Sequence, residues 1–220
     1  MKEYTKSKLN RVKRGQNRAV YDIEKINEIL DAGFLCYVGY IYEGNPISIP
    51  MAYARKDDKI YLHGSTANRM LLAILQSKKT SITVMHLDGL VIARSGLHHS
   101  VNYRSATLFG SLQKIDDDNE KSDILELIVN QMIPNHWDSL RPMHQKELDR
   151  TLVVEFTIET ASAKVRAEGV NDEPEDYELP IWAGVIPVKQ IAEYPIADKG
   201  KPEKMNIPNH ILEYYHQNKS

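Results

Sequence analysis

Between Phe34 and Gly64 the chain reverses direction twice within a few residues. "FLCYVGYIY" is rich in Tyr, Val and Ile, the composition of a buried strand. The turn residues "EGNP" follow, then "ISIPMAYAR", then "KDD", then "KIYLHG". Connections this short join antiparallel strands, because a parallel crossover needs a dozen residues or more. The spacing therefore predicts a three-stranded antiparallel meander.

The remaining patterns extend it. "VYDIEKINEILDAG" sets Val20, Ile23, Ile26, Ile29 and Leu30 three and four residues apart. That predicts an amphipathic helix with Gly33 as its C′ stop. "STANRMLLAILQSKK" predicts a second helix, capped by Ser65 or Thr66, with Met70, Leu71, Ile74 and Leu75 on its apolar face. "SITVMHL" and "LVIAR" flank "DG", a hairpin signal. "SVNYRSATLFGSLQKI" and "TLVVEFTIETASAKVRAEG" read as long strands around a helix with an acidic start, "DDDNEKSDILELIVNQMI". An acidic loop, "VNDEPEDYELP", a strand, "IWAGVIPV", and a terminal helix, "PNHILEYYHQN", complete the chain. Six or more strands with few, short helices predict a mainly β, α+β fold built on a closed antiparallel barrel, which leaves no exposed strand edges. The strand-helix-strand order around residues 60 to 85 would suit an α/β sheet, but no Gly-rich dinucleotide fingerprint follows any strand. The 220 residues suit a basic arm at 1–18 followed by a single domain at 19–220 with a C-terminal extension.

Charge excludes more than it suggests. Lys and Arg number 28 against 30 Asp and Glu, a formal net charge of -2, so bulk charge points to neither nucleic acid nor membrane. Lys2, Lys6, Lys8, Arg11, Lys13, Arg14 and Arg18 form a basic lead-in, read as a solvated tail ahead of a nucleic-acid arm. The single cysteine, Cys36, lies in an apolar run and reads as a small buried hydrophobe, with no CxxC or Cys/His metal spacing in the chain. No secretory h-region and no run of roughly 18 apolar residues occurs, so the expected location is cytoplasmic.

Two stretches carry candidate chemistry. In "YLHGSTANRM" a strand ends at His63, Gly64 allows a close turn, and a helix begins near Ser65 or Thr66. Free N–H groups, two hydroxyls and the Arg69 guanidinium are a suitable set for a phosphate. Arg69 in a first helical turn opposes the helix dipole unless an anion lies nearby; a plain cap with a solvated arginine is the structural alternative. In "HHSVNYRSATLFGSL", Arg104 and Ser105 point to opposite faces of a strand. His98 and His99 diverge in an extended chain with no third ligand at a sensible spacing, so no metal site is expected.

"IPMAYARKDDKIYLHGSTANRMLLAIL", "DGLVIARSGLHHSVNYRSATLFGSLQ" and "SAKVRAEGVNDEPEDYELPIWAGVIP" occur in that order. Together they resemble the flavin-nucleotide-binding branch of the pyridoxamine 5′-phosphate oxidase-like family, whose relatives include the nitroimidazole-resistance proteins. The resemblance runs from about residue 15 to about residue 195. It implies a six-stranded antiparallel split β-barrel of the FMN-binding type, and a homodimer with two FMN molecules at the subunit interface. Carried over by position, Pro50, Met51, Ala52 and Tyr53 would border the isoalloxazine ring, partly through backbone groups. His63, Gly64, Ser65, Thr66 and Arg69 would lie along the ribityl phosphate; in the oxidases proper a lysine stands at the position of Arg69. Asn102, Tyr103, Arg104 and Ser105 would line the flavin's other side. Lys164 or Arg166, and Trp182, would reach the partner's flavin, although Trp182 equally suits a core anchor. The arginine-rich C-terminal substrate motif of the oxidases is missing, so vitamin B6 synthesis is not expected.

Two function classes follow from the resemblance. The first is an FMN-dependent oxidoreductase acting on a small molecule, with His63 as its candidate proton donor. The second is a flavin-binding module for storage, sensing or regulation. A third possibility keeps the barrel but binds haem or a deazaflavin, with His63, His86, His98 or His99 as candidate haem ligands.

Overall fold

The computed structural model describes residues 2–198 and 206–219. The meander forms as the spacing predicts: β2 is Leu35–Tyr42, β3 is Asn45–Lys56 and β4 is Lys59–Ser65, preceded by a short β1 at Ala19–Val20. The turn between β2 and β3 is made by Glu43 and Gly44, both at positive φ (49° and 78°). Such a turn matches the right-handed twist of a hairpin, and glycine adopts it without a Cβ penalty. β5 (Ser81–Ile92), β6 (Ser100–Ile115), β7 (Thr151–Arg166) and β8 (Gly184–Pro187) complete the strands. The pairings run β7–β4–β3–β2–β5–β6 and return to β7, a ring of six antiparallel strands with β1 and β8 attached at its margin. The fold is therefore a split antiparallel barrel of the α+β class.

The ring is not zipped along its whole length. β3 pairs with β4 only from Tyr53↔Leu62 to Lys56↔Lys59. Its first eight residues, 45–52, pair with β2 alone, so one backbone edge of that half-strand is open. The β2–β5 seam is also short, from Tyr37↔Thr83 to Gly39↔Ser81.

The core lies inside the ring. Tyr53, Ile60, Leu62, Ile82, Leu108 and Phe156 are buried there together with Ile26, Ile29 and Leu30 of α1 (Ile23–Asp31) and Met70, Leu71 and Ile74 of α2 (Arg69–Ser77). α3 (Asp118–Met132) packs Ile124, Leu125 and Ile128 on the outside of the ring against Ala54, Tyr61, Ile115 and Val153. A short α4 (Gln145–Asp149) precedes β7, and α5 (Asn209–Asn218) ends the described chain. Among the described residues no helix is long and apolar enough to cross a membrane.

Four local expectations need correction. Gly33 is not a left-handed stop, because α1 ends through Ala32 in ordinary helical geometry. What Gly33 supplies is space: a Cβ there would lie 2.9 Å from His86 Cε1. α2 is capped by Asn68, whose Oδ1 accepts the Leu71 N–H at 3.1 Å, not by Ser65 or Thr66. Asp88-Gly89 does not end a strand; β5 continues through it as a bulge and pairs with both β6 and β8. The basic lead-in is not a free tail. The Asn10 amide donates to Thr160 Oγ1 at 2.7 Å and to the Ala161 carbonyl at 3.0 Å, which ties residues 2–18 to β7. Cys36 is buried, and burial pushes its thiol up to about 12, so it has no thiolate to offer.

Candidate functional site

The open edge of β3 is the start of the site. Tyr53 N–H donates to the Phe34 carbonyl at 3.0 Å, and hydrogen-bonding direction alternates along an antiparallel strand. Met51 and Ile49 therefore bond toward β2. The backbone groups of Ser48, the Pro50 carbonyl and the Ala52 N–H aim at the gap where β4 has peeled away, while the Ala52 carbonyl belongs to the last rung of the β3–β4 ladder. Met51 packs its side chain on the core while Pro50 is exposed. This edge offers alternating donors and acceptors, the pattern that suits a planar heterocycle with amide-like groups along one side.

β4 forms the opposite bank. Beyond Leu62, residues His63, Gly64 and Ser65 pair with Val153, Leu152 and Thr151 of β7 and not with β3. His63 is half-buried, and its Nδ1 is buried with no hydrogen-bond partner. Burial lowers its pKa below the ordinary histidine value, so the ring is neutral at pH 7. An orphaned ring nitrogen costs free energy unless a partner reaches it, and here it lies on a strand that borders the gap.

The turn into α2 adds positive charge. Asn68 N–H donates to the Ser65 carbonyl at 2.8 Å, Ala67 N–H donates to Ser65 Oγ at 3.2 Å, and Thr66 N–H is taken by the Arg150 carbonyl at 3.0 Å. The N–H groups of Arg69 and Met70 have no intrahelical acceptor, as in any first turn. The Arg69 guanidinium lies over the Tyr42 ring, 4.5 Å from its centroid, with Nη2 3.4 Å from the Tyr40 hydroxyl. It has no carboxylate partner among the described residues. A cation at a helix N-terminus without a counter-ion is poised for an anion. Tyr40 and Tyr42 were not anticipated as its cradle; the alternation in "YIY" already puts them on one strand face.

The other expected residues divide. Ser105 pairs with Met85 and with Lys164, and Tyr103 pairs with Leu87, so both sit on the outer face of the β5–β6–β7 sheet. Lys164 is half-buried without a carboxylate partner among the described residues. Trp182 is 67% exposed and is not a core anchor. Tyr53 belongs to the core: its side chain is fully buried and its hydroxyl donates to the Leu30 carbonyl, so it can border a ligand only through its backbone. Arg104 is committed to Asp88 by two bonds, Nε to Oδ2 at 3.0 Å and Nη2 to Oδ1 at 2.9 Å. Arg166 donates to Asn102 Oδ1 at 2.5 Å and to the carbonyls of Glu168 and Gly169. Both Arg166 and Asn102 are buried. Asn102, Arg104 and Arg166 therefore brace the chain's own loops. Their sequence neighbours suggested a rim, but these side chains are spent on partners within the chain.

The outer sheet face beside the cleft is apolar. Leu35 and Tyr37 of β2 and Met85 and Leu87 of β5 are between 40% and 53% exposed.

A family model described as pyridoxamine 5′-phosphate oxidase matches residues 22–165. Among solved structures, a flavocytochrome from Azotobacter vinelandii is 39% identical, with a TM-score of 0.89, over 94% of this chain and 97% of that one. An FAD- and haem-binding protein from Mycobacterium smegmatis is 30% identical, with a TM-score of 0.85, over 90% of this chain and 97% of that one. A candidate 5-nitroimidazole antibiotic resistance protein from Bacteroides thetaiotaomicron is 22% identical, with a TM-score of 0.58, over 67% of this chain and 86% of that one, and shares the fold. No curated protein matches the sequence.

Proposed function

The chain belongs to the pyridoxamine 5′-phosphate oxidase family, and we propose that it is a flavin-dependent redox protein of the flavocytochrome kind, working as a homodimer. The observation that carries this reading is the split between β3 and β4, which leaves one edge of β3 open; on the other bank β4 carries His63, whose Nδ1 has no partner, and the turn that leaves it leads to Arg69, which has no carboxylate partner among the described residues. These donors and acceptors fit a flavin nucleotide. Ala52, Ser48 and Pro50 would hold the amide-like edge of the ring through backbone groups. Arg69 and the first-turn N–H groups of α2 would hold the ribityl phosphate, with the Ser65 hydroxyl beside it. That half is common to FMN and FAD. FMN follows from the sequence resemblance; the Mycobacterium relative is described as binding FAD, and we take that flavin here.

When bound, the flavin supplies transfer of one or two electrons between a reductant and a small molecule. The chain supplies position, charge balance and exclusion of water. His63, neutral and on the strand that borders the gap, would be the group to hold or give a proton at Nδ1. Tyr103, Ser105 and Lys164 share the outer sheet face with Met85 and Leu87. A second copy seated on this face would shield its apolar side chains and bring those polar groups over the partner's flavin, with the exposed Trp182 available to do the same.

A haem is the second cofactor in this reading, favoured by the flavocytochrome and FAD-haem relatives. Among the candidate histidines, His99 fits a haem ligand well. Its Nδ1 lies 2.9 Å from the Ser95 carbonyl, which fixes the ring and leaves Nε2 outward, the usual arrangement of a ligating imidazole. It directly precedes β6, close in sequence to the exposed Leu97, at the sheet margin where Gly184 pairs with Ile92 and the Trp182 ring lies against Gly184. His86, by contrast, spends Nε2 on the Ile29 carbonyl at 2.9 Å.

An absorption spectrum of the purified protein tests both cofactors. Flavin bands at ~370 and ~450 nm with a Soret band are expected, and His99→Ala should lose the Soret band while keeping the flavin. A colourless protein that takes up neither FMN nor FAD refutes the reading.

A further inference from the structure

The basic lead-in reads in the sequence as a tail, and the flavin cleft makes no use of it. In the structure it is an arch. Tyr4 N–H donates to the Tyr21 carbonyl at 2.9 Å, and Ile23 N–H donates to the Lys2 carbonyl at 3.0 Å, which pins the start of the arm to the entry of α1. Asn10 is buried against β7, and Val12 N–H donates to the Tyr21 hydroxyl at 2.9 Å, which pins its far side. Held at both ends, the arm borders a half-open cavity of about 500 Å³ together with Tyr21, Asp22 and Lys25.

The walls carry unspent charge of both signs. Lys6, Arg11 and Lys25 line the cavity with Glu3 and Asp22. None of the three cations forms an ion pair with these carboxylates or with any other among the described residues. Lys6 rests over the Tyr21 ring at 4.8 Å from its centroid. Asp22 is only 6% exposed. Its Oδ1 caps α1 by accepting the Lys25 N–H at 2.9 Å, while its Oδ2 is buried with no partner. A buried acceptor without a donor is costly. Three cations and the positive end of α1 favour an anion in the same space. One molecule that answers both demands carries a phosphate at one end and hydroxyl donors at the other.

We propose that this arch is a second binding site, separate from the flavin cleft, for a small phosphate monoester bearing hydroxyl groups. Arg11, Lys25 and Lys6 hold the phosphate. Asp22 Oδ2 accepts from a hydroxyl, as acidic side chains do for ribose hydroxyls in nucleotide sites. A free sugar phosphate and a nucleotide share this chemistry.

Calorimetric titration of the purified full chain, with its bound cofactors, tests the site using ribose 5-phosphate, AMP and inorganic phosphate. Ribose 5-phosphate is expected to bind at least tenfold more tightly than inorganic phosphate. The double variant Arg11→Gln/Lys25→Gln should weaken it at least tenfold. Asp22→Asn keeps an N-cap of equal quality but replaces the free acceptor with a donor. It should weaken ribose 5-phosphate and leave inorganic phosphate unchanged or tighter. AMP at least as tight as ribose 5-phosphate identifies a nucleotide site; weaker AMP identifies a sugar-phosphate site, and both support the proposal. Absence of binding by all three probes at millimolar concentration overturns it. So does equal binding of ribose 5-phosphate and phosphate that ignores Asp22→Asn, or binding lost in Arg69→Ala and untouched by the arch variants.

Discussion

Tyr53→Phe removes one oxygen from the centre of the barrel and leaves the ring. The Tyr53 side chain is fully buried, and its hydroxyl donates to the carbonyl of Leu30 in the last turn of α1. Burial holds its pKa above the ordinary phenol value, so the group is a neutral donor at any working pH. The substitution deletes that bond and leaves the Leu30 carbonyl short of a donor, at a cost of about 1–2 kcal/mol. For a domain of this size each kcal/mol moves the midpoint by about 2–4 °C. Thermal unfolding of the flavin-free variant should therefore show Tm lower by roughly 2–8 °C. Because the hydroxyl faces the core, flavin affinity should change less than twofold. The reasoning fails if Tyr53→Phe melts with the wild type and loses flavin, since that result would place the hydroxyl in the cleft and not against α1.

Three further outcomes are expected. The lowered pKa of His63 means that the unfolded chain takes up its proton first as pH falls below ~6.5; stability is then lost with acid at up to about 1.4 kcal/mol per pH unit until the folded ring protonates. His63→Gln should remove that contribution, measured as urea midpoints from pH 7 to 5 in both proteins. Asn68→Ala deletes the cap of α2 and should cost about 1 kcal/mol, read as a lower urea midpoint with unchanged secondary structure. Met85→Asp puts a charge on the apolar outer face; sedimentation velocity should show the wild type as the proposed dimer and the variant as a monomer, and a variant that stays dimeric would move the interface elsewhere.

Much of the barrel is legible because its signals are local. The Tyr/Val/Ile runs with "EGNP" and "KDD" define the meander, and "SVNYRSATLFGSLQKI" matches β6 from end to end. Sequence misleads where a distant contact decides. Asp88-Gly89 has hairpin chemistry, but β8 arrives from residues 184–187 and holds β5 extended through the bulge. The arm looks like a tail because its charges are visible and its anchors are not: backbone groups, and an asparagine whose partner Thr160 lies 150 residues away. The cleft is legible only in part. The His63 to Arg69 turn can be read from capping logic and charge. The open edge at Ala52 cannot, since it exists only because β3 and β4 part after Tyr53↔Leu62. Arg104 looks like a ligand group in the sequence, but Asp88 takes two of its nitrogens.

The central claim is that a flavin lies in this split with its phosphate on Arg69. The most direct test is a fluorescence titration of flavin into the flavin-free wild type, Arg69→Ala and Arg104→Ala. The account predicts that Arg69→Ala raises Kd roughly 10- to 100-fold, as expected for loss of a charge-assisted phosphate contact, and that Arg104→Ala leaves it within about threefold. Unchanged affinity in Arg69→Ala together with loss in Arg104→Ala would contradict it and move the phosphate to the other side of the barrel.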